Sequence, residues 1–433
     1  MPDLDFAREL ELFTGPDAIA MLWAATTGTT DAPPPDLSGE LIDLHYRPGA
    51  ETTALYEVRV GDAVEFFGAT TADVGGQVAT LTGDGLTVRV WRHPADPRLP
   101  GLVGACDPDT VGAWLDALQP SDWDATTLAD CPSEMPPSGS SAPISPGDWE
   151  VQTLAPPETS ISDPTVPIPP PGDWEVQTLA YRPLRRAVLR ADQGDVTYFI
   201  KVVRPDRVEP LALRHRLIAN AGLGVPVVAR PAPGVLITPE LVGRPLSDHL
   251  TTGDVPSLAE LVAALGRLPA EALDLPVRPG WPDILDFHTN TAVQQLPDED
   301  RRIRDVAGVI ASVLASAPTG PLMPVHGDFY EANIFVTPDG LRFIDVDSVG
   351  PGLLEDELAC LIGHGWVLPA YDEQFADVGR VLASWQADAE RLVDPAALRS
   401  RVAAVALSLV AGADDAQARA RLALAERFAA SAR

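Results

Sequence analysis

Residues 326–333 read HGDFYEAN, and they are followed by the apolar run IFV, a TPDG turn and a second apolar-rich run, LRFI. This order predicts a loop, a short strand, a tight turn and a second strand that ends on Asp345 and Asp347. A two-stranded hairpin closed by the Asp-Gly turn brings Asp345 back beside Asn333. The sequence therefore predicts a pocket on which several oxygen-bearing side chains converge.

The residue types in this stretch fit the chemistry of phosphoryl transfer. One carboxylate can position and deprotonate an attacking hydroxyl group, while a carboxamide and another carboxylate can hold Mg²⁺ against triphosphate oxygens. The alternative interpretation is a set of acidic residues that only cap turns on a solvated surface.

The same stretch resembles a known family. HGDFYEAN resembles the HGDxxxxN loop of the aminoglycoside phosphotransferase and choline kinase superfamily, and IDVD resembles its metal-binding segment. The resemblance covers roughly residues 173–365. Further motifs match in the same order, namely the strand YFIKVV, GVPV (224–227), PELVGRPL (239–246) and DELA (356–359).

The resemblance implies an α+β, two-lobed protein-kinase-like fold. Residues 173–242 would form a β-rich N-lobe and residues 243–433 a helical C-lobe. The expected order from Ala180 is strand, turn, strand, a helix over roughly 210–221, a strand over VVARPA, a strand over VLITPEL, and then mainly helices.

The resemblance also implies a role for each residue of the acidic pocket. Asp328 would be the catalytic base, and His326 would orient the catalytic loop. Asn333 and Asp345 would be Mg²⁺ ligands. Asp347 takes the second acidic position of the metal segment, either beside the metal or as a structural hydrogen-bonding partner.

Lys201 is singled out by composition alone, because it is the only lysine among 31 basic residues. Arginine replaces lysine readily where only surface charge is needed, but a planar guanidinium does not reproduce a compact ammonium group. The resemblance implies that Lys201 contacts the α- and β-phosphates of a nucleotide. The alternative is a lysine that has survived by chance on the surface.

Three further residues are weaker candidates for the nucleotide site. No GxGxxG loop precedes the lysine strand, so Arg185 and Arg186, in the turn YRPLRRAVLR, could supply charge-assisted hydrogen bonds to phosphates. Both arginines could equally be solvated residues at a strand end. Glu209 could pair with Lys201, or it could be an acidic residue placed favourably at a helix start.

The implied function is transfer of a phosphoryl group from ATP, or GTP, with Mg²⁺, to a hydroxyl group of a small molecule. Candidate acceptors are an aminoglycoside-like antibiotic, a sugar or an amino alcohol. The alternative is a catalytically weak kinase-like module that binds nucleotide or a partner. The joint presence of Lys201, Asp328, Asn333 and Asp345 argues against that alternative.

The first 130 residues predict a small α+β module of unknown role. EVRVGDAVEFFGAT and QVATLTGDGLTVRVWR alternate apolar and polar positions around Gly-Asp turns, which predicts antiparallel strands. Residues 44–60 faintly echo residues 179–194 in their YRP motif and the strand pattern after it, as if the module were a degenerate copy that has lost the lysine.

A Pro/Ser-rich linker is predicted over residues 131–172, where a literal repeat, PGDWEVQTLA, occurs at 146–155 and again at 171–180. A fragment that starts near Gly172 would then fold by itself.

Composition limits the classes of partner and the compartment. The net charge of −31 argues against a nucleic acid or an anionic membrane surface as a partner. The chain shows no signal-like start and no long apolar run, which predicts a cytoplasmic location. Cys106, Cys131 and Cys360 are widely spaced and odd in number, which indicates reduced thiols.

Overall fold

The computed structural model describes residues 12–15, 17–28, 33–46, 51–76, 78–83, 86–118 and 173–433. These residues form two compact units. The first unit holds the described residues up to 118 together with 173–212 and 227–240, and the second holds 213–226 and 241–433. The predicted linker 131–172, with the repeat copy at 146–155, lies outside the described residues.

The first sheet of the first unit has five antiparallel strands in the order β1-β2-β3-β5-β4. A helix precedes it and two short helices follow it. The second of these is capped by Asp107, whose side chain accepts a hydrogen bond from the Thr110 amide, and has proline at its first position. The elements are α1 (Ala18–Thr27), β1 (Leu37–Tyr46), β2 (Thr52–Val60), β3 (Ala63–Thr70), β4 (Ala79–Gly83), β5 (Leu86–Arg92), α2 (Leu102–Ala105) and α3 (Pro108–Asp116).

The second sheet of the first unit has four antiparallel strands in the order β6-β7-β8-β9. Buried residues alternate with more exposed ones along β8, as expected for a strand with one face in a core. The elements are β6 (Glu175–Arg182), β7 (Arg186–Gln193), β8 (Val196–Val203), α4 (Val208–Asn220) and β9 (Val235–Pro239).

The two sheets share a pattern that extends the echo in the sequence. In each sheet the second and third strands are joined by a two-residue Gly-Asp turn, with φ 60° at Gly61 and 58° at Gly194. Glycine at the first turn position with positive φ is typical of a type II′ hairpin. Counted from these glycines, Gly68 takes the place of Lys201. A Cβ at Gly68 would lie 2.3 Å from the ring of Trp91, so this sheet has no room for a lysine there.

The last part of the N-terminal module, residues 99–118, shares an apolar core with the β6–β9 sheet. Leu99, Leu102 and Leu115 pack in one cluster with side chains from one face of β7 and β8, including Leu189 and Ile200. All five are almost completely buried. The two segments of the first unit are therefore joined by one core cluster.

The second unit is mainly helical and holds three short strand pairings. The hairpin β12–β13 pairs Ile334 with Phe343, β10 adds to its edge, and β11 pairs with β14. Its elements are β10 (Arg244–Pro245), α5 (Leu246–Thr252), α6 (Leu258–Leu265), α7 (Leu285–Gln295), α8 (Asp300–Leu314), β11 (Met323–Val325), β12 (Ile334–Thr337), β13 (Gly340–Phe343), β14 (Gly350–Gly352), α9 (Leu354–Tyr371), α10 (Gly379–Ala389), α11 (Pro395–Ser408) and α12 (Asp415–Ser431).

The core of the second unit is built around α9 and α11. Most residues of both helices are buried, which explains why their sequences are apolar on nearly every side.

Several helices of this unit begin at a residue whose side chain caps the first turn. Ser257 and Glu260 form a capping box on α6, and Asp394 and Asp414 accept amide hydrogen bonds at the starts of α11 and α12.

The predicted fold class, α+β with a β-rich part followed by a mainly helical part, is confirmed. The predicted helix over 210–221 is observed as Val208–Asn220. The strand predicted over VVARPA is wrong, because that segment makes only an isolated bridge from Ala229 to Ile237. Among the described residues, the helices are all too short or too polar to span a membrane.

The shared core predicts that residues 172–433 expressed alone are much less stable than the whole chain. Removing residues 1–131 uncovers several large apolar side chains, and each is worth roughly 1.5–3 kcal/mol when buried. We expect the fragment to unfold at a clearly lower temperature than the whole chain, or to aggregate.

Co-expression of residues 1–131 and 172–433 as separate chains is the matched control. The two pieces should co-purify and regain most of the thermal stability. A lone 172–433 fragment as stable as the whole chain would contradict the shared core.

Candidate active site

The loop 326–333 connects β11 to β12 and is fixed from inside the protein. His326 is fully buried, and its Nε2–H donates to the carbonyl oxygen of Ile344 at 2.9 Å. Gly327 has φ 80°, and a Cβ there would lie 2.5 Å from the Ser348 carbonyl oxygen. Only glycine fits this position.

Asp328 and Asn333 lie at the two ends of this loop and contact each other. The amide nitrogen of Asn333 donates to the backbone oxygen of Asp328 at 3.0 Å and lies 3.4 Å from its carboxylate oxygen Oδ2. The Asn333 backbone N–H donates to the Tyr330 carbonyl at 3.0 Å and closes the turn. The amide oxygen of Asn333 is then the atom of this side chain that could bind a metal.

The hairpin returns the chain to Asn333 as the sequence predicts. After β13, the Ile344 N–H donates to the Asn333 carbonyl oxygen at 3.0 Å, so Asp345 is the next residue after this contact. Asp345 adopts φ 50°, an uncommon left-handed conformation for a residue other than glycine. Asp347 follows in a short 3₁₀ turn, Val346–Ser348.

The acidic side chains of this region help to raise the pKa of the buried Tyr330 phenol. Burial raises the pKa of Tyr330 well above its usual value, and the negative charges of Asp328, Asp345 and Glu331 raise it further. The structure therefore brings Asp328, Asn333 and Asp345 together around one loop. Burial lowers the pKa of His326, so its imidazole is neutral and suited to a structural role.

The sequence analysis assigned no role to Glu357, and the structure shows that it anchors the loop. Its carboxyl group is buried and accepts the backbone N–H groups of His326 and Gly327, each at 2.8 Å. Burial raises the pKa of Glu357 to about 8 despite these two hydrogen bonds. The only signal in the sequence was the DELA motif, in which Glu357 is the second acidic residue.

The nucleotide-side candidates lie in the first unit. Lys201 is half-buried on β8, paired with Val188 of β7, and Arg186 pairs with Val203 two positions further along the strand. Directly opposed residues of an antiparallel pair point to the same face of a sheet. Arg186 and Lys201 therefore share one face, and the opposite face carries the core shared with the N-terminal module. Arg185 ends the turn before β7.

Glu209 lies in the first turn of α4 and is exposed. Its carboxylate is 2.6 Å from Nη1 of Arg230. Of the two interpretations left open by the sequence, this placement favours an acidic residue at a helix start.

A narrow cavity of about 30 Å³ in the second unit begins at the loop 326–333. Tyr330 stacks on His364, with ring centroids 4.4 Å apart, and Glu331 and Arg421 line the same cavity. Glu331 Oε2 and His364 Nε2 are buried and have no hydrogen-bond partner. Burial raises the pKa of Glu331 to about 7, and burial lowers the pKa of His364 to about 3. Two side chains that line this cavity thus carry a buried polar atom without a hydrogen-bond partner.

The donor set at the loop fits a metal that prefers hard oxygen ligands. In the described part of the chain, no group of three or more His, Cys, Asp or Glu side chains is placed to hold a metal ion alone. Asn333 and Asp345 offer a carboxamide oxygen and a carboxylate. Mg²⁺ commonly takes one or two protein carboxylates and completes its shell with water and phosphate oxygens.

Comparison with known proteins places most of this region in one family. Residues 184–399 match the sequence model described as "Phosphotransferase enzyme family". The search of curated proteins found no match.

Several solved structures are similar at low identity. A choline/ethanolamine kinase family protein from Mesorhizobium loti is 21% identical, with 55% of this chain and 84% of that chain covered and a TM-score of 0.39. Aminoglycoside phosphotransferase APH(4)-Ia is 15% identical over 59% of this chain and 93% of that chain, with a TM-score of 0.44. Choline kinase LicA from Streptococcus pneumoniae is 13% identical over 59% and 93%, with a TM-score of 0.39.

Lys201, the HGD loop and the acidic end of the hairpin all lie inside the matched residues. Through residues 184–399, the chain belongs to the phosphotransferase enzyme family.

The raised pKa of Glu357 predicts how stability changes with pH. Between the ordinary glutamate pKa of 4.5 and about 8, the unfolded chain is ionised at this residue while the folded chain holds the proton. The folded state binds more protons, so this group lowers the free energy of unfolding as pH rises through that window. Glu357→Gln removes this dependence.

Urea unfolding of the parent and Glu357→Gln between pH 5.5 and 8 measures the effect. The stability of the parent relative to the variant should fall by up to about 1.4 kcal/mol per pH unit. Glu373→Gln, at an exposed position, controls for the loss of one acidic group. Parallel curves for the parent and Glu357→Gln would contradict the assignment.

Proposed function

We propose that this protein transfers the γ-phosphoryl group of ATP, with GTP as the alternative donor, to a hydroxyl group of a small molecule. The observation that carries the proposal is the hydrogen bond from Ile344 to the Asn333 carbonyl, which places Asp345 beside Asn333 and Asp328. A base and two hard oxygen ligands in one loop are the components that phosphoryl transfer requires.

Each residue of the loop has a separate task in this proposal. The Asp328 carboxylate orients the acceptor hydroxyl group and takes its proton. The acceptor oxygen then bonds to the γ-phosphorus, and the bond from that phosphorus to the bridging oxygen breaks to release the nucleoside diphosphate. Asn333 and Asp345 hold Mg²⁺, with Asp347 as a further carboxylate of that site. The ion supplies positive charge to the phosphate oxygens.

The remaining residues position groups rather than exchange protons. Lys201 contacts the α- and β-phosphates through its ammonium group, and Arg185 and Arg186 add hydrogen bonds to the phosphates. His326 holds the loop through its bond to Ile344. Glu209 is less suited to hold Lys201, because its carboxylate pairs with Arg230.

The narrow cavity beside Tyr330 is proposed as part of the acceptor site. Its wall combines an aromatic platform, the Glu331 carboxyl group, a neutral His364 and the guanidinium of Arg421. A positive charge on this wall disfavours a polycationic acceptor, and the hydrogen-bonding groups suit a neutral hydroxylated one. Among the acceptors implied by the sequence, we therefore expect neutral sugars to be better substrates than aminoglycosides or amino alcohols.

Nucleotide consumption by the purified protein, measured with Mg²⁺ against a panel of sugars, amino sugars, amino alcohols and aminoglycosides, tests both parts of the proposal. Acceptor-dependent formation of nucleoside diphosphate supports phosphoryl transfer. Turnover with aminoglycosides alone would refute the acceptor preference and leave the reaction type intact. No turnover with any member, and no basal hydrolysis, would favour the binding-module alternative.

The metal assignment predicts that Asp345→Asn abolishes Mg²⁺-dependent turnover, because a ligand charge is lost with almost no change in volume. Binding of the Mg²⁺–nucleotide complex should also weaken, and thermal stability should stay near that of the parent. Asp339→Asn is a matched control, since it removes an exposed carboxylate at the turn of the same hairpin. Near-normal activity of Asp345→Asn would place the metal elsewhere.

The ammonium group of Lys201 is predicted to be specifically required. Lys201→Arg keeps the charge but moves its centre and widens the head group, and a misplacement of about 1 Å can cost on the order of 10²-fold in rate. Turnover at saturating Mg²⁺–nucleotide should fall steeply while circular dichroism and thermal stability stay nearly unchanged. Arg301→Lys, at a 95% exposed side chain, is the control. Equal rates for Lys201→Arg and the parent would exclude a role in catalysis.

A further inference from the structure

The turn between β6 and β7 has an unusual backbone conformation. It runs from Arg182 through Pro183 and Leu184 to Arg185, whose N–H donates to the Arg182 carbonyl at 3.1 Å. Leu184 adopts φ 64°. Proline followed by a residue with positive φ is the pattern of a type II turn, which normally requires glycine at the second position. Leucine there costs about 1–2 kcal/mol.

Contacts from the N-terminal module hold Leu184 in this conformation. Its backbone N–H donates to Oδ2 of Asp96 at 2.7 Å. Its side chain is buried in a small cluster with Ala72, Val74 and Trp91. A residue keeps a strained backbone conformation only where the surrounding structure holds it there, and such strain tends to occur at functional sites.

Asp96 is the centre of a buried hydrogen-bond network. The same Oδ2 atom accepts the hydroxyl of Tyr181 at 2.9 Å, and Oδ1 accepts the N–H of Arg98 at 2.8 Å. Trp91 Nε1 donates in turn to the Tyr181 oxygen at 3.0 Å. Asp96 is only 4% exposed, and burial raises its pKa despite these bonds. The network joins the N-terminal module to both sides of the turn.

This turn lies next to the residues that are proposed to bind the nucleotide. It leads directly into Arg186, which shares a sheet face with Lys201. Arg185 ends the turn, and the backbone N–H of Arg98 belongs to the Asp96 network. Burial is the main cause that lowers the pKa of Arg204; the charges of Arg207, Arg98 and Arg185 lower it further, while Asp206 raises it. The turn therefore carries or adjoins the groups that would meet a polyphosphate.

We propose that Asp96 is a positioning residue for the nucleotide phosphates. Through Leu184 and Tyr181 it fixes the β6–β7 turn in the strained conformation that aims Arg185 and Arg186, which replaces the glycine-rich loop that this chain lacks. The inference rests on the proposed function and gives the N-terminal module a role in nucleotide binding. Asp96 itself does not touch the nucleotide.

The test compares binding of ATP with binding of adenosine, by calorimetry, for the parent and two variants of the full chain. Asp96→Asn removes the charged acceptor, and Tyr181→Phe removes the hydroxyl group that donates to Asp96 without a change of charge. Loss of a negative charge near phosphates would by itself strengthen ATP binding. Weaker binding of ATP to Asp96→Asn therefore cannot come from simple electrostatics.

We expect both variants to weaken ATP binding by about tenfold while adenosine binding changes by less than about twofold. The KM for ATP should rise more than kcat falls. The control is Tyr56→Phe, which deletes a buried hydrogen bond from Tyr56 to the Phe13 carbonyl, 2.8 Å long, in a separate core cluster of the module. It should lower stability without changing the ratio of ATP to adenosine affinity.

Three outcomes would overturn the inference. The first is an unchanged ATP-to-adenosine ratio in Tyr181→Phe, which also serves if Asp96→Asn does not fold. The second is a change of the same size in Tyr56→Phe, because the effect would then follow stability alone. The third is a parent that binds neither ATP nor GTP, which would overturn the proposed function and this inference together.

Discussion

The hydrogen bond between the Ile344 amide and the Asn333 carbonyl is the contact on which the proposed chemistry depends. It joins the end of the loop 326–333 to the end of the hairpin, so that residues 333 and 344 become neighbours. The short strands are too small to be stable alone and rely on packing around them. Buried Phe343 and Ile334, a directly opposed pair of the hairpin, supply part of that packing.

The loop is supported from beneath by groups that are costly to bury. Glu357 gives up its hydration to accept two backbone N–H groups, and His326 gives up its charge to donate to one carbonyl. A buried polar group is tolerated when it is hydrogen-bonded, and a satisfied network of this kind favours one conformation over its alternatives. The rigidity of the loop thus comes from residues that never need to meet a substrate.

Much of the fold could be predicted from the sequence because the signals were local. The Gly61 and Gly194 turns, the hairpin before Asp345 and the helix after β8 each follow from a few adjacent residues. The strand over VVARPA was overestimated, because Pro231 and a single bridge leave no ladder to extend.

Contacts between distant residues could not be inferred in this way. Glu357 lies 31 residues from His326, and Asp96 lies 88 residues from Leu184. No periodicity in the sequence encodes such pairings. The core that residues 99–118 share with the β6–β9 sheet could not be predicted for the same reason. The apolar pattern of these residues indicates that they are buried, but not which element covers them.

The glycine opposite Trp91 has a consequence for how this chain can change over generations. If the first sheet descends from a duplicated copy of the second, regaining a lysine at Gly68 would require Trp91 to shrink at the same time, because the two positions are directly opposed. Either substitution alone is penalised, the first by a clash and the second by a cavity beside Leu184. A single substitution therefore cannot restore the lysine. Selection that keeps Trp91 as a packing residue also keeps the first sheet in a structural role.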